Sequence, residues 1–182
     1  VIRRMDKALL ILDLDETLVF ANEQALSRPH DFLCGQFFVY CRPYLEEFLL
    51  ATSKIFQIAV WTSSSHLYME CILRNIIPTE IPLEFSCSRE RCTRVFDPEL
   101  WKDSWVKNLK KVRRLGYSLD RVLMVDDTPA KLRRNYGNLV RIREWTGASD
   151  DIELRQLAIY LEKIKHVDSY RTLEKRGWRL DT

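Results

Sequence analysis

Short continuous apolar runs alternate along the chain with segments whose apolar residues recur every three or four positions. The runs read as strands buried on both faces, the periodic segments as helices with one buried stripe. Their alternation predicts an α/β fold built on a doubly wound parallel sheet. Lys7–Asp13, Phe56–Thr62 and Arg121–Asp126 are predicted as buried strands, with Leu139–Ile142 as a fourth and Gln36–Cys41 as a shorter one. Pro43 opens a helix that runs through Leu45, Phe48 and Leu49 to about Ser53. Ser63, Ser64 and Ser65 offer N-caps for a helix carrying Tyr68, Met69, Ile72 and Leu73. Ser104–Leu115 is predicted helical, with Val106, Leu109 and Val112 on one face and Gly116 as its stop. Asp150–Glu153 reads as a capping box for a final helix bearing Leu154, Leu157, Ala158, Leu161 and Ile164.

The texture changes between Ile77 and Asp103, where Pro78, Pro82 and Pro98 frame a polar run rich in Cys and Arg. A small β-rich insertion, residues 77–103, is expected there within one domain spanning residues 1–182. No internal repeat and no flexible linker interrupts the pattern. Composition narrows the function classes. Lys plus Arg exceed Asp plus Glu by only 3 in 182 residues, which excludes a dominant basic surface, and direct nucleic-acid binding is not expected. The longest apolar stretch, Ala8–Val19, is broken by Asp13, Asp15 and Glu16, so no membrane span is expected. Val1–Asp6 lacks the apolar core of a secretory signal. The 5 cysteines are odd in number and sit in apolar text, which predicts reduced packing residues in an intracellular protein, nuclear or cytoplasmic. The intervals Cys34 to Cys41 and Cys87 to Cys92 miss zinc-ribbon spacing, and no cysteine is followed by a glycine-rich phosphate cradle. His30, His66 and His166 fall outside any catalytic string.

Candidate chemistry lies where the strands end. The first predicted strand closes on Asp13-Leu14-Asp15 and the third on Asp126-Asp127. Ligands of open parallel sheets bind beyond the carboxyl ends of the strands. Asp13 and Asp15, two positions apart, can aim one side-chain oxygen and one backbone carbonyl at a common point. With Asp126 and Asp127 beside them, these hard oxygens suit Mg²⁺, and close carboxylates need such a cation to relieve their repulsion.

The string Asp13-Leu14-Asp15-Glu16-Thr17 resembles the Asp-x-Asp-x-Thr motif of the haloacid dehalogenase superfamily of phosphotransferases. Arg42–Phe48, Val60–Ser64, Ser88–Cys92, Val106–Leu109, Val125–Pro129 and Asp150–Leu154 are similar to strings of its FCP/SCP-like phosphatases, which act on the RNA polymerase II C-terminal domain and other phosphoserine proteins. The resemblance spans about Lys7 to Tyr170. It implies that Asp13 is the nucleophile, forming an aspartyl-phosphate, and that Asp15 is the general acid and then base, its carbonyl also binding the metal. Thr62 would hydrogen-bond a phosphoryl oxygen with help from Ser63, at a turn that can also serve as a helix cap. Of two candidate lysines, Lys102 and Lys107, the Val-Lys-Asn-Leu string selects Lys107 to neutralise Asp13 and the phosphate. Asn108 stands where relatives carry an acid.

Asp127 is expected as a direct metal ligand and Asp126 as a partner of Lys107, the reverse assignment remaining open. Arg89 would contact phosphate or an acidic flank, or else be a solvated arginine; Arg113, Arg114, Arg133 and Arg134 read as solvated faces. The implied activity is Mg²⁺-dependent removal of phosphate from phosphoserine or phosphothreonine in a protein or peptide, by a monomer. A phosphatase of small metabolites or lipids is the nearest alternative. A non-catalytic binding module on the same fold is the other, and the presence of both Asp13 and Asp15 argues against it.

Overall fold

The computed structural model describes residues 7–97 and 101–181; Val1–Asp6 and Pro98 lie outside the described residues. Ala8–Leu12 (β1) is buried at every position, because the sheet it centres is covered on both faces. Leu10 and Leu12 pack into one apolar layer, with Phe48 and Leu49 of the first helix and Leu157 and Leu161 of the last. Leu9 and Ile11 pack into the other, with Leu109, Val112 and Leu132. A strand serving two cores has no solvent face, hence its unbroken apolar text.

The strands beside β1 are Phe56–Trp61 (β5) and Val122–Asp126 (β9). Leu83–Cys87 (β6) and Leu139–Arg141 (β10) flank them, giving the order β10-β9-β1-β5-β6 with every pair parallel. This is the α/β architecture expected. From β1 the chain builds outward through β5 and β6, then returns to β1's other side to build β9 and β10. The crevice between β1 and β9 is therefore the topological switch point, where side chains past the strand ends stand open to a ligand. Register completes the placement. Leu12 pairs with Val125, so the next residues, Asp13 and Asp126, emerge side by side.

Four helices and two small antiparallel sheets surround this frame. Leu45–Ile55 (α1) and Glu153–Ile164 (α4) pack together, and His66–Ile76 (α2) follows β5 with Ser65 as N-cap, its hydroxyl accepting from the Tyr68 amide. Val19–Asn22 (β2), Phe32–Cys34 (β3) and Phe37–Cys41 (β4) form a flap in the order β2-β4-β3. Thr93–Asp97 (β7) and Lys102–Val106 (β8) make a hairpin.

Several expectations need correction. Within the 77–103 stretch, β6 is a core strand of the parallel sheet, and the β7–β8 hairpin is what stands outside it. Ser104–Leu115 is not one helix: its first residues pair with β7, and only Lys110–Arg113 (α3) is α-helical. Trp105 and Val106 are strand formers, and cross-strand pairing overrides the weak helical spacing of Val106, Leu109 and Val112. The capping box at Asp150–Glu153 does not form. Asp151 accepts from the Glu153 amide at 3.0 Å, while the Glu153 carboxylate accepts from the Arg143 amide at 2.9 Å and from Arg179. Nor are all the cysteines reduced packing residues. Cys34 of β3 and Cys71 of α2 form a disulfide with Cα atoms 5.9 Å apart, leaving Cys41, Cys87 and Cys92 as free thiols. The pairing depends on the flap folding over α2, which sequence spacing does not report.

Arg42, buried at the flap's exit, ties these parts together. Its Nε and Nη2 each donate to a different oxygen of Asp151 at 2.9 Å, and its Nη1 donates to the carbonyls of Thr17 and Arg143 at 3.0 Å. Burial raises the Asp151 carboxyl, but the hydrogen bonds and charge of Arg42 bring it below its ordinary value. Removing one side of a buried pair strands the other. Arg42→Met is expected to cost about 3 kcal/mol, the low end of that class because Asp151 keeps some solvent contact. A lower urea midpoint at unchanged m checks this.

Candidate active site

Asp13 leaves β1 still paired to the sheet, its amide donating to the Val125 carbonyl at 3.0 Å. Its side chain is 1% exposed and meets two ammonium groups: Lys107 Nζ lies 2.8 Å from Oδ1 and Lys131 Nζ 2.9 Å from Oδ2. Burial alone would raise this carboxyl, yet the two lysines hold it below the usual value, so Asp13 is a buried anion. Lys107 also lies 2.7 Å from Asp126 Oδ2, and both of those side chains are fully buried. Burial and the charge of Asp13 push Asp126 upward against the pull of the lysines. Its other oxygen accepts from the Thr128 amide at 2.9 Å, closing the turn after β9. Lys107 is thus brought to Asp13 and Asp126 by the strand that ends at Val106. Lys102 sits earlier in the same strand, at its hairpin end.

Asp127 stands beside this pair. Thr128 Oγ1 donates to its Oδ2 at 2.8 Å, while its Oδ1 is buried without a hydrogen bond. Among the described residues, Asp13, Asp126 and Asp127 form the one group of acids, histidines or cysteines close enough to share a metal ion, with ligand atoms within 4.8 Å of one another. An all-oxygen set with a buried, unsatisfied carboxylate oxygen fits a hard divalent cation such as Mg²⁺.

Asp15 points the other way, into a groove. Just past Asp15 the chain turns sharply, with Glu16 in the left-handed region at φ 56° and bound through its amide to the Val19 carbonyl at 2.8 Å. Asp15 accepts from Ser64 Oγ at 2.6 Å, Tyr68 Oη at 2.6 Å and, more weakly, Thr62 Oγ1 at 3.4 Å. Burial and the neighbouring Asp15 charge push the Tyr68 phenol well above its ordinary value, so it stays a donor. Thr62 is fully buried just past β5, and its hydroxyl accepts from the Ser64 amide at 3.0 Å. It is not the cap of α2, a role Ser65 takes. Ser63 presents its backbone carbonyl, to which Arg89 Nε donates at 2.6 Å, with the Arg89 guanidinium over the Trp105 ring at 5.7 Å. Asp15, Ser64, Ser65, Tyr68, Phe37 and Arg89 line an open groove of about 390 Å³.

The geometry therefore gathers Asp13, Lys107, Asp126 and Asp127 at one point and Asp15 and Arg89 along the adjoining groove, with Thr62 buried behind Asp15. Sequence reasoning missed Ser64, Tyr68 and Lys131. Ser64 and Tyr68 were visible as a cap and a helix-face residue. Lys131 lay five positions past Asp126 with nothing to mark it.

A family model for NLI interacting factor-like phosphatases matches residues 8–171. The chain belongs to that family. Among NLI interacting factor-like relatives, it is 32% identical over 172 residues to CTD small phosphatase-like protein 2 of Dictyostelium discoideum, covering 91% of this chain and 29% of the relative. It is 29% identical over 170 residues to human carboxy-terminal domain RNA polymerase II polypeptide A small phosphatase 1, covering 90% of this chain and 61% of that protein. It thus spans less than a third of the one relative and less than two thirds of the other. The solved structure of Fcp1, described as an essential RNA polymerase II CTD phosphatase, superposes with a TM-score of 0.70 at 15% identity, over 91% of this chain and 64% of that one. This likeness shows that the two chains share a fold. Among the described residues, no helix is long and apolar enough to cross a membrane.

Glu16 carries a pH signature near neutrality. Burial lifts its carboxyl, and Asp15 and Asp127 lift it further, from 4.5 to about 7. The folded protein then keeps a proton that the unfolded chain has already lost, so stability falls as pH rises through this window. In metal-free protein, Glu16→Gln is expected to raise Tm at about pH 8 and leave it unchanged near pH 4. Paired thermal melts check the difference.

Proposed function

We propose that this chain is a phosphatase acting on phosphoserine or phosphothreonine in extended protein segments, the C-terminal domain of RNA polymerase II among them. One observation carries the reading: Asp13 is kept ionised in a buried, lysine-rich pocket, and a second acid, Asp15, faces the open groove next to it. A phosphatase of this kind needs an anionic oxygen that can approach an anionic ester, and a separate proton donor for the leaving group.

In the proposed sequence an Asp13 oxygen attacks phosphorus in line, and the bond from phosphorus to the serine oxygen breaks. Asp15 gives its proton to that oxygen as it leaves. The product on the enzyme is an aspartyl-phosphate on Asp13. Asp15, now a carboxylate, takes a proton from water as the water oxygen bonds to phosphorus, and Asp13 departs with its electron pair. Inorganic phosphate leaves and Asp15 is again protonated. Ser64, Tyr68 and Thr62 fix the orientation of Asp15, and Thr62 and Ser63 border the place of the phosphoryl oxygens. Lys107 offsets charge on Asp13 and on the phosphate. Asp13, Asp127 and the Asp15 carbonyl, with Asp126 beside them, would hold Mg²⁺, which when bound would supply further positive charge against the phosphoryl group. Arg89, at the groove's rim, is placed to meet phosphate or an acidic flank of the substrate.

The relatives' names favour a polymerase tail or another phosphoprotein as substrate. The groove agrees, being open enough for an extended chain and edged by the aromatic rings of Phe37 and Tyr68, 5.8 Å apart. We place the protein in the nucleus or cytoplasm and take it to act as a monomer without binding nucleic acid. A phosphopeptide panel is expected to yield phosphate with the wild-type chain and none with Asp13→Asn, whose far-ultraviolet circular dichroism stays that of the wild type. Turnover by a folded Asp13→Asn chain would remove Asp13 as nucleophile. EDTA is expected to abolish turnover and Mg²⁺ to restore it; an enzyme indifferent to chelation would remove the metal from the scheme.

A further inference from the structure

The two lysines against Asp13 are held very differently. Lys107 is wholly buried along its side chain and is shared between Asp13 and Asp126. Lys131 lies in the turn Pro129–Leu132, with its side chain 18% exposed. Its backbone is pinned, the amide donating to the Thr128 carbonyl at 3.0 Å and the carbonyl accepting from the Lys107 amide at 2.7 Å. Leu132, next in sequence, is buried in the core and anchors the turn. The side chain reaches from this fixed base across the acidic cluster. Its Nζ is 2.9 Å from Asp13 Oδ2 and 3.7 Å from an oxygen of each of Asp126 and Asp127.

These are the same three carboxylates that could share a metal ion. One ammonium group therefore touches every member of the set, and with Lys107 on Oδ1 it leaves neither Asp13 oxygen clear. A divalent cation and this ammonium cannot both sit in that seat, since like charges in contact repel strongly where water is excluded. The lysine has an exit that Lys107 lacks: its side chain borders solvent, and four rotatable bonds let the head group leave while the backbone stays. We propose that Lys131 is a tethered cation that holds the carboxylate cluster together in the metal-free protein and must swing out before Mg²⁺ can bind and Asp13 can be reached. The inference rests on the metal site put forward under Proposed function and adds what this chain does when the metal is away.

Displacement has a cost in metal affinity, because Mg²⁺ must break the charge-assisted hydrogen bond to Asp13 and the ion pairs to Asp126 and Asp127, which a neutral side chain would not make. Isothermal titration of Mg²⁺ into wild type, Lys131→Met and Lys131→Arg tests this, with thermal melts in EDTA and in Mg²⁺ alongside. Lys131→Met is expected to bind Mg²⁺ about tenfold more tightly or better. It is also expected to melt lower than wild type in EDTA and to gain more on adding Mg²⁺, whereas Lys131→Arg keeps the weaker wild-type affinity. Lys131→Gln replaces the methionine variant if the latter does not fold. Wild-type binding with equal or weaker affinity in the neutral variant overturns the proposal and leaves the metal site standing. Absence of Mg²⁺ binding in every chain overturns both.

Discussion

The Lys107 ammonium, shared between Asp13 and Asp126, is the interaction on which the rest of the site depends. Parallel register alone would drive two carboxylates together at the tips of β1 and β9, in a region closed to water. Unpaired, one of them would take up a proton. A fully buried ammonium lets Asp13 stay charged at its place, and the backbone bond from Lys107 to Lys131 ties the strand that delivers it to the turn beyond β9. The pair holds the hairpin strand against the parallel sheet and keeps an anionic oxygen at the switch point.

Around that centre the fold separates two tasks. Charge is concentrated at the switch point between β1 and β9. Under the proposed function, proton transfer and substrate contact fall to the groove between the flap and α2. Asp13 and Asp15 meet different surroundings within three residues, and just beyond them the chain turns through a left-handed Glu16. Asp13 meets lysines and lies under cover, whereas Asp15 meets three hydroxyls at the edge of an open space. Two acids two positions apart acquire distinct characters because their neighbours differ, the usual way one side-chain type is given two roles. The Cys34–Cys71 disulfide ties β3 of the flap to α2, and Phe37 of the adjacent strand β4 meets Tyr68 of α2 at the groove.

Legibility in the sequence followed locality. β1, β5 and β9 could be read because strands buried on both faces have unbroken apolar text, and α4 because five of its residues keep helical spacing. The acids at the strand ends could be read because parallel sheets bind ligands there. β6 was hidden by its mixed text at the edge of the sheet, and the hairpin strand β8 by apolar positions that also suit a helix. The Asp151 pairing to Arg42 and the Cys34–Cys71 bond join residues 109 and 37 positions apart, and no local pattern encodes such distances.

What the amino-acid order determined by itself is the family, the parallel sheet and the identity of the acids and of Lys107, because motifs and strand patterns are local and repeat in kind. Tertiary structure alone decided that Tyr68 and Ser64 hold Asp15 and that Lys131 lies across the carboxylates. Those contacts arise where loops from separate strands converge. A lysine's partner is set by the field it meets there, not by the residues on either side of it in the chain.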